Sequence, residues 1–248
     1  MIDKTIDELK NEFIKIKHKG WIRSVDSGTG SVGDTFENML GLKKNNFAIP
    51  DFKEIEIKTN RRSKNCYITL FSSACDGKKK YILYEIKEKF GWPDREFSNV
   101  KILRIKVSAN KPTYLKNGIS MILNVDYTQK KVCLRIYKYR KLVNEDAWWS
   151  FQILENKLLK KLQYLAFVES DNSFFNGSEH FKYKSINFYK VKGFGCFLQL
   201  LLNGTIILEI KFGVHRSGAN IGMSYDHGAS FELMREDIKK LFELVYSI

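Results

Sequence analysis

Cysteine and proline are both scarce in this chain. Its 248 residues include four cysteines and three prolines. The cysteines, at positions 66, 75, 133 and 196, form no Cys-x-x-Cys pair, so the sequence indicates neither a zinc site nor a disulfide scaffold. We expect buried, reduced thiols. No internal repeat, low-complexity tract or obvious linker divides the chain.

Long apolar runs are also absent. No stretch approaches the roughly 20 apolar residues that cross a bilayer. The start of the chain, Met1-Ile2-Asp3-Lys4, lacks the basic and then apolar pattern of a secretion signal. These absences predict a soluble, cytoplasmic protein that makes no contact with a membrane.

Acidic residues are outnumbered by basic ones. The chain has 28 Asp and Glu against 42 Lys and Arg, which gives a formal net charge of +14. Such an excess is typical of proteins with a polyanionic partner. An AT-rich genome would encode the same abundance of lysine, so the charge agrees with a nucleic-acid partner without establishing one. The length allows one large domain or two lobes.

Two carboxylates and a lysine alternate in the segment from Asp51 to Asn60. Alternate side chains of a strand share a face, so Glu54, Glu56 and Lys58 are predicted to project to one side and the intervening isoleucines to the other. An amphipathic edge strand whose charges face water would show the same pattern. The segment is therefore interpreted either as a site or as a solvated edge.

The chemistry of a site would be phosphodiester hydrolysis. A hard divalent cation held by oxygen ligands, with a lysine beside it, can neutralise the charge that develops on the phosphate and activate a water. Asp51 and Glu56 are the candidate ligands, and the Ile57 carbonyl is a possible third. Lys58 would contact the attacking water or the scissile phosphate.

A glycine-rich stretch, residues 27–33, precedes a predicted helix. Asp34 or Thr35 is expected to cap the start of this helix and Gly41 to end it. Glu37 would lie in its first turn, either because acids favour a helix N-terminus or because it adds a third acidic group over the metal site. The Lys and Ser/Thr of a phosphate-binding loop do not follow these glycines, so a nucleotide site is not indicated.

Three ordered blocks of the chain resemble the MvaI/BcnI family of type II restriction endonucleases, which are relatives of the mismatch-repair nicking enzyme MutH in the PD-(D/E)xK superfamily. The first block is Gly-Trp-Ile-x-Ser from Gly20, then Gly-x-Thr-Phe-Glu-x-x-Leu-Gly from Gly33, then Pro-Asp-Phe and Ile-Glu-Ile-Lys-Thr within residues 50–59. The second block, residues 149–168, matches the family's helix and following strand, and the third, residues 216–231, resembles its Asp-His-Gly segment.

The resemblance implies roles for four residues. Asp51, Glu56 and Lys58 fall on the family's catalytic triad, and Glu37 falls on a glutamate that MutH-like sites carry on a helix. The implied reaction is Mg²⁺-dependent cleavage of double-stranded DNA at a short specific site, leaving 5′-phosphate and 3′-hydroxyl ends. Glu54 has no counterpart in the family, and we expect it to be a solvated charge or a helper at the rim.

The resemblance also implies partners. We expect a prokaryotic monomer that nicks one strand and then the other, with a companion DNA methyltransferase that protects the host and need not touch this chain. A MutH-like repair nickase remains an alternative, and stable nicking of one strand would favour it. A DNA-binding module without catalysis is another, which DNA binding in calcium without cleavage in magnesium would favour.

Candidate DNA contacts occur in two places. The basic turn after the catalytic segment could grip the DNA backbone, or it could be a solvated hairpin turn; it contains Arg61, Arg62 and Lys64. The C-terminal stretch offers groups that suit base edges, although each could be an ordinary surface or core residue; they are His215, Arg216, Asp226, His227 and Arg235. Tyr225 is expected only to pack.

Two positions depart from the family pattern. Arg216 stands where members of the family tend to have histidine, and Glu232 stands where they tend to have arginine. The second change is interpreted as the replacement, by an acid, of a basic residue that meets DNA. The catalytic residues are therefore transferred to this chain and the target sequence is not.

The predicted fold is α/β, with a restriction-endonuclease-like mixed sheet flanked by helices and two lobes around a positively charged DNA-binding cleft. The predicted lobes are a catalytic one, residues 1–98 with 145–170 packed on it, and a recognition one, residues 99–144 and 171–248. Apolar spacing predicts an opening helix that ends near Lys19 and a helix from Gly193 that Gly204 closes before a strand. Strands are predicted at residues 65–72, 101–107, 120–127 and 131–139.

Overall fold

The computed structural model of the chain describes residues 2–28, 30–42, 49–62, 66–76 and 81–248. The helices are α1 (Ile2–His18), α2 (Ser31–Met39), α3 (Ile82–Phe90), α4 (Phe151–Leu162), α5 (Phe194–Leu202) and α6 (Ile238–Leu241). The first eight strands are β1 (Ile22–Arg23), β2 (Ile55–Arg61), β3 (Tyr67–Ser72), β4 (Trp92–Pro93), β5 (Lys101–Val107), β6 (Thr113–Tyr114), β7 (Ile119–Asp126) and β8 (Lys131–Lys138). The remaining strands are β9 (Lys141–Asn144), β10 (Trp148–Ser150), β11 (Tyr164–Phe175), β12 (Ser178–Val191), β13 (Ile206–Val214), β14 (Ser224–Met234) and β15 (Phe242–Ser247).

The chain forms two compact units. The first comprises Met1–Cys66, Lys157–Gly193 and Ile238–Ile248, and the second comprises Tyr67–Asn156 and Phe194–Asp237. These units differ in extent from the predicted lobes: residues 67–98 and 145–156 belong to the second unit, and residues 171–193 and 238–248 belong to the first. The reason is strand pairing, because β11 and β12 form one hairpin and β3 joins the sheet of β14.

The first unit is built on a mixed sheet, as the sequence predicts. Its strand order is β1-β12-β11-β2, with β15 also paired to β12. β2 runs parallel to β11, while β11 and β12 form a long antiparallel hairpin. Asn176 and Gly177 join the hairpin with φ of 49° and 73°, the left-handed values that a tight two-residue turn needs.

Two helices pack in the core of the first unit. The opening helix, α1, buries Leu9 and Phe13 at the predicted spacing, in one apolar cluster with Phe36 of α2 and with Ile55 and Ile57 of β2. The burial of both isoleucines keeps the backbone of β2 fixed, because close-packed side chains leave a strand little freedom. The opening helix therefore packs on the sheet, which anchors the strand that carries the candidate site.

The start of α2 differs from its prediction. The helix begins at Ser31, with Gly30 before it and no side-chain cap. Asp34 therefore lies in the first turn, and the hydroxyl of Thr35 is buried and donates to the carbonyl of Ser31 over 2.7 Å. The end of the helix follows the prediction, because Gly41 has a φ of 71°, as is common after a helix C-terminus.

The second unit contains two sheets. One has the order β10-β8-β7-β6, with β9 paired to β8, and the other has the order β3-β14-β13-β5-β4. The strands predicted from residues 101, 120 and 131 correspond to β5, β7 and β8. The predicted order of helix and then strand after Gly193 is confirmed by α5 and β13. β3 begins at Tyr67 and pairs with β14, whereas β2 pairs with β11 in the first unit.

An aromatic cluster fills the core of the second unit. The ring of Phe231 lies 5.5 Å from Phe71, 5.7 Å from Phe197 and 5.8 Å from Trp149, measured between ring centres. Trp149 is fully buried, and its indole N–H donates to the Ser73 carbonyl over 2.9 Å. These rings stabilise the unit through buried area and edge contacts.

All four cysteines are free thiols, and of these Cys133 is buried while the other three are partly exposed. The expectation of reduced thiols is met, and that of uniform burial is wrong. Among the described residues, none of the helices has the length and apolar character needed to span a membrane.

Candidate active site

Glu56 and Lys58 lie on β2, where the strand runs beside β11. β2 ends the strand order of its sheet, as the solvated-edge interpretation requires. That interpretation nevertheless fails for Glu56, which has no exposed surface. A buried carboxylate at the edge of a sheet is a costly placement, which indicates a functional site.

A tight turn brings Asp51 to the same place. Phe52 and Ile55 exchange backbone hydrogen bonds of 3.0 and 2.9 Å, and Lys53 between them adopts a φ of 54°. The turn folds the chain back, so a carboxylate oxygen of Asp51 accepts a hydrogen bond from the Ile57 amide over 3.0 Å. The turn, rather than strand alternation, therefore positions Asp51.

The position predicted for Glu54 is wrong in one respect. β2 begins at Ile55, so Glu54 precedes the strand and does not share its face. Its side chain accepts a hydrogen bond from the Thr5 hydroxyl of α1 over 3.0 Å, and the residue is exposed. Glu54 is thus a surface charge, which agrees with the first of its two expected placements, a solvated charge or a helper at the rim.

Two lysines share one oxygen of Glu56. The Lys58 ammonium lies 2.5 Å from Oε1 of Glu56, and the Lys161 ammonium lies 3.3 Å from the same atom. Lys161 comes from the last turn of α4 and was not among the predicted site residues. The only signal for it in the sequence was its place in the second family-like block.

The second oxygen of Glu56 is different. Oε2 is buried, and no described residue donates a hydrogen bond to it. Burial is the main cause of a raised pKa for Glu56, the nearby Asp51 raises it further, and Lys58 and Lys161 act in the opposite direction. An unpartnered buried oxygen of this kind calls for a positively charged ligand.

Glu37 approaches the cluster from α2. The helix lies close to β2 at Gly33, where a Cβ atom would come within 3.1 Å of the Thr59 hydroxyl. Glu37 is one turn further along the same face. Its pKa is raised, first by burial and then by the negative charge of Asp51. The structure therefore brings all four predicted catalytic side chains into one electrostatic neighbourhood.

Oxygen atoms dominate this cluster. No cluster of three or more His, Cys, Asp or Glu side chains in the described part of the chain is arranged to hold a metal ion. The set predicted from the sequence is different, because it combines the carboxylates of Asp51 and Glu56 with the backbone carbonyl of Ile57. Oxygen donors suit a hard cation such as Mg²⁺, and the unpartnered oxygen of Glu56 fits such a ligand.

The three residues of the predicted basic turn differ in what the structure shows of them. Arg61 donates to both carboxylate oxygens of Glu179 over 2.9 Å and to the Ser31 hydroxyl over 2.8 Å, so its guanidinium joins β2, β12 and the start of α2. Arg62 is exposed and lies 3.6 Å from Asp171. Lys64 lies outside the described residues.

Two histidines flank Tyr225 in the second unit. Its ring lies 5.3 Å from the ring of His215 and 4.4 Å from that of His227. Tyr225 also covers Gly213, where a Cβ atom would come within 2.4 Å of its phenol group. Tyr225 thus packs, as expected, and its ring contacts those of both histidines. Asp226 is exposed and accepts a hydrogen bond from the Gly228 amide over 2.6 Å.

Arg216 is held by an aspartate that was not predicted to matter. Its guanidinium donates two hydrogen bonds, of 2.9 and 2.5 Å, to the carboxylate of Asp94. Asp94 is buried and also accepts from the amides of Glu96 and Phe97. The structure gives Arg216 a fixed bidentate partner. Arg235 lies in a short 3-10 helix and is partly buried.

The interpretation of Glu232 is corrected by its burial. Glu232 accepts hydrogen bonds from Lys211 over 2.7 Å and from the Ser230 hydroxyl over 2.9 Å, and only 3% of its surface is exposed. Because Glu232 is buried on β14, it does not occupy a surface position that could meet DNA. A buried carboxylate needs such partners, and Lys211 is the main one.

A Glu-x-Lys pair with a buried glutamate on a strand of a mixed sheet, and an aspartate brought beside it by a turn, is the arrangement expected of a restriction-endonuclease-like nuclease. The model of the MvaI/BcnI restriction endonuclease family matches residues 10–242. The chain belongs to this family, and it is accordingly a type II restriction endonuclease, a hydrolase that cleaves DNA at specific sites.

Solved structures agree with this membership. The chain is similar to "Restriction endonuclease MvaI-cognate DNA substrate complex", with a TM-score of 0.89, 26% identity and coverage of 96% of both chains. It is also similar in fold to "Restriction endonuclease MvaI in the absence of DNA", with a TM-score of 0.59, 24% identity and coverage of 97% of this chain and 96% of that one. No curated protein matches the chain.

The Asp94 contact predicts a pH-dependent contribution to stability. Hydrogen bonds from Arg216 lower the pKa of Asp94 from 3.8 to about 2. A depressed pKa means that the ionised carboxylate stabilises the fold above pH 3.8 and that this contribution disappears as the pH falls to about 2. Asp94→Asn should therefore unfold at a lower urea concentration than the wild type at neutral pH.

The difference in unfolding urea concentration between Asp94→Asn and the wild type should shrink as the pH falls from 3.8 to about 2. Urea unfolding at a series of pH values measures it. Glu96→Gln is the control, because Glu96 also pairs with Arg216 but is 67% exposed and should contribute little. A gap between Asp94→Asn and the wild type that stays constant down to pH 2 would contradict this account.

The position of Lys161 predicts a kinetic effect. Lys161→Ala removes a charge that favours the ionised form of Glu56, so cleavage of plasmid DNA should slow by about 10–100-fold. The acidic limb of the pH–rate profile should also move to higher pH, because the pKa of Glu56 rises further. Lys160→Ala, an exposed neighbour on the same helix, should leave both unchanged. Equal profiles for the two variants would exclude this role.

Proposed function

We propose that this restriction endonuclease cleaves double-stranded DNA at a short specific site with a divalent cation, Mg²⁺ in the cell. The cation would be held by Asp51, Glu56 and the carbonyl of Ile57. The single observation that carries this proposal is the buried oxygen of Glu56, which has no hydrogen-bond donor among the described residues. When bound, the cation neutralises charge on the scissile phosphate and lowers the pKa of a water.

The side chains around the cation site would divide the remaining work. Lys58 lies against Glu56 with 27% of its side chain exposed, so its ammonium can also reach a phosphate oxygen or the attacking water. Lys161 would keep Glu56 ionised. Glu37 has a raised pKa, which suits the uptake of a proton as the water attacks. The products would carry 5′-phosphate and 3′-hydroxyl ends.

DNA binding is supported by the net charge of +14 and by the DNA complex of the similar structure. We propose Arg62 and Lys64 as contacts to the DNA backbone, and His215, Asp226, His227 and Arg235 as candidate contacts to bases. Asp226 and the two histidines lie on or beside β13 and β14, where the ring of Tyr225 contacts both histidines.

Arg61 and Arg216 have a different place in the proposal. Both are held by carboxylates, Glu179 and Asp94. They would serve DNA binding by fixing the loops that carry other contacts, rather than as free cations. Their salt bridges would have to break before either guanidinium could bind a phosphate or a base edge in a bidentate manner.

The biological setting follows from the reaction. A site-specific nuclease would cut its own host's DNA unless the sites were protected, so we propose a companion DNA methyltransferase that need not bind this chain. We propose that the enzyme acts as a monomer in the prokaryotic cytoplasm, where its substrate enters. Membership of the family favours cleavage of both strands over the nicking reaction of a repair enzyme and over binding without catalysis.

The test is cleavage of unmethylated plasmid and genomic DNA in Mg²⁺, followed by sequencing of the ends. The wild type should give discrete fragments with 5′-phosphate ends, and none in a chelator. Lys58→Ala should be slower by about two to three decades, the usual effect of removing a group that stabilises transition-state charge.

Lys190→Ala is the matched control, because Lys190 is an exposed lysine of the same sheet. It should cut at the wild-type rate. Intact DNA with the wild type, or equal rates for the Lys58 and Lys190 variants, would overturn the proposed assignment of the site.

A further inference from the structure

The second unit contains a groove that the cleavage reaction does not use. It has a volume of about 950 Å³ and is formed by the end of α3, by β4, by β6 with the turn that follows it, and by the hairpin of β8 and β9. Of the described residues that line it, none is a predicted catalytic or DNA-binding residue.

The groove is positively charged. Lys89, Lys116 and Lys138 line it, and all three are exposed. Within the described ranges, no aspartate or glutamate lines the groove and none of these lysines forms a salt bridge. Three ammonium groups around one concave surface, with no carboxylate among them, favour an anionic ligand.

The groove also presents aromatic rings. Tyr114 is 77% exposed, and Trp92 is partly exposed and lines the same groove. An aromatic ring that is exposed to this degree makes little contribution to the core, but it offers a flat face for stacking. Lysines interleaved with exposed aromatic rings are typical of surfaces that bind single-stranded nucleic acid.

The backbone fixes these rings in place. Tyr114 belongs to β6, where it pairs with Ser120 of β7, and Trp92 belongs to β4, where it pairs with Ile102 of β5. Gly91 before Trp92 fits so tightly that a Cβ atom would lie 2.4 Å from the Lys87 carbonyl and 2.6 Å from the Ile102 carbonyl. Rings carried on paired strands are preorganised for a ligand.

We propose that this groove binds unpaired nucleotides of single-stranded DNA, with bases stacked on Tyr114 and Trp92 and phosphates close to Lys89, Lys116 and Lys138. In a duplex the faces of the bases are stacked on one another, so the rings could not use them. An acidic peptide would satisfy the lysines but leave the rings without a function. The site is additional to the proposed cleavage site and does not depend on it.

The test is fluorescence anisotropy with a labelled oligothymidylate of about 12 nucleotides, a length within the range of known single-strand sites. A chelator is present throughout, so that binding is measured apart from cleavage. Tyr114→Ala should weaken binding by about five-fold or more, which corresponds to the loss of one base stack. Tyr114→Phe keeps the ring and should bind as the wild type does.

The lysines are tested through salt dependence. Replacing both Lys116 and Lys138 by alanine should reduce the slope of log K against log[salt] by about 1.4, or about 0.7 for each phosphate that is no longer neutralised. Lys111→Ala is the control, because Lys111 is an exposed lysine outside the groove. It should reduce the slope much less than the double variant does.

Cleavage of duplex DNA by the same variants separates this proposal from the proposed function. Each groove variant should cut duplex DNA at the wild-type rate, which also shows that it is folded. Equal affinity of Tyr114→Ala and the wild type for the oligonucleotide would overturn the proposal. Poly-glutamate that displaced the oligonucleotide equally well from Tyr114→Ala and from the wild type would also overturn the proposal, because the groove would then recognise charge alone.

Discussion

The burial of the Glu56 carboxylate is the constraint on which the first unit depends. Removing a carboxylate from water costs several kcal/mol unless charges and hydrogen bonds replace the lost hydration. Lys58 and Lys161 provide this for Oε1, and Oε2 is left without a donor among the described residues. The pKa of Glu56 is consequently raised. This arrangement is unfavourable for the isolated fold and favourable for a cation, as expected where a functional site lowers local stability.

Several elements hold the strand that carries this carboxylate and place other side chains around it. β2 is fixed from one side by its parallel pairing with β11 and through the burial of Ile55 and Ile57. The turn at Lys53 returns Asp51 to the amide of Ile57. Two arginines predicted to contact DNA have carboxylate partners: Arg61 pairs with Glu179 and Arg216 with Asp94. Contacts within each unit thus set the positions of these side chains.

The sequence predicted most of what depends on local periodicity, although alternation wrongly extended β2 to Glu54. Alternation placed Glu56 and Lys58 together, and apolar spacing predicted α1, α5 and the strands β5, β7 and β8. Contacts between distant segments were missed, because no local pattern encodes them: Lys161 beside Glu56 and Asp94 beneath Arg216 are examples. The hairpin of β11 and β12 was also missed, although its Asn176-Gly177 turn is a recognised signal. The start of α2 was misplaced because glycine, rather than a polar side chain, precedes it. The roles of His215 and His227 in DNA recognition stay predictions.

The most direct test of the account is a crystal structure of the enzyme with duplex DNA and Ca²⁺, a hard cation that takes oxygen ligands. The account predicts a calcium ion within about 2.3–2.6 Å of Oε2 of Glu56 and of a carboxylate oxygen of Asp51, and no ion at this position in Glu56→Gln. A DNA complex in which Ca²⁺ is bound elsewhere, while Oε2 of Glu56 remains without a ligand, would contradict the central claim that this buried oxygen holds the catalytic cation.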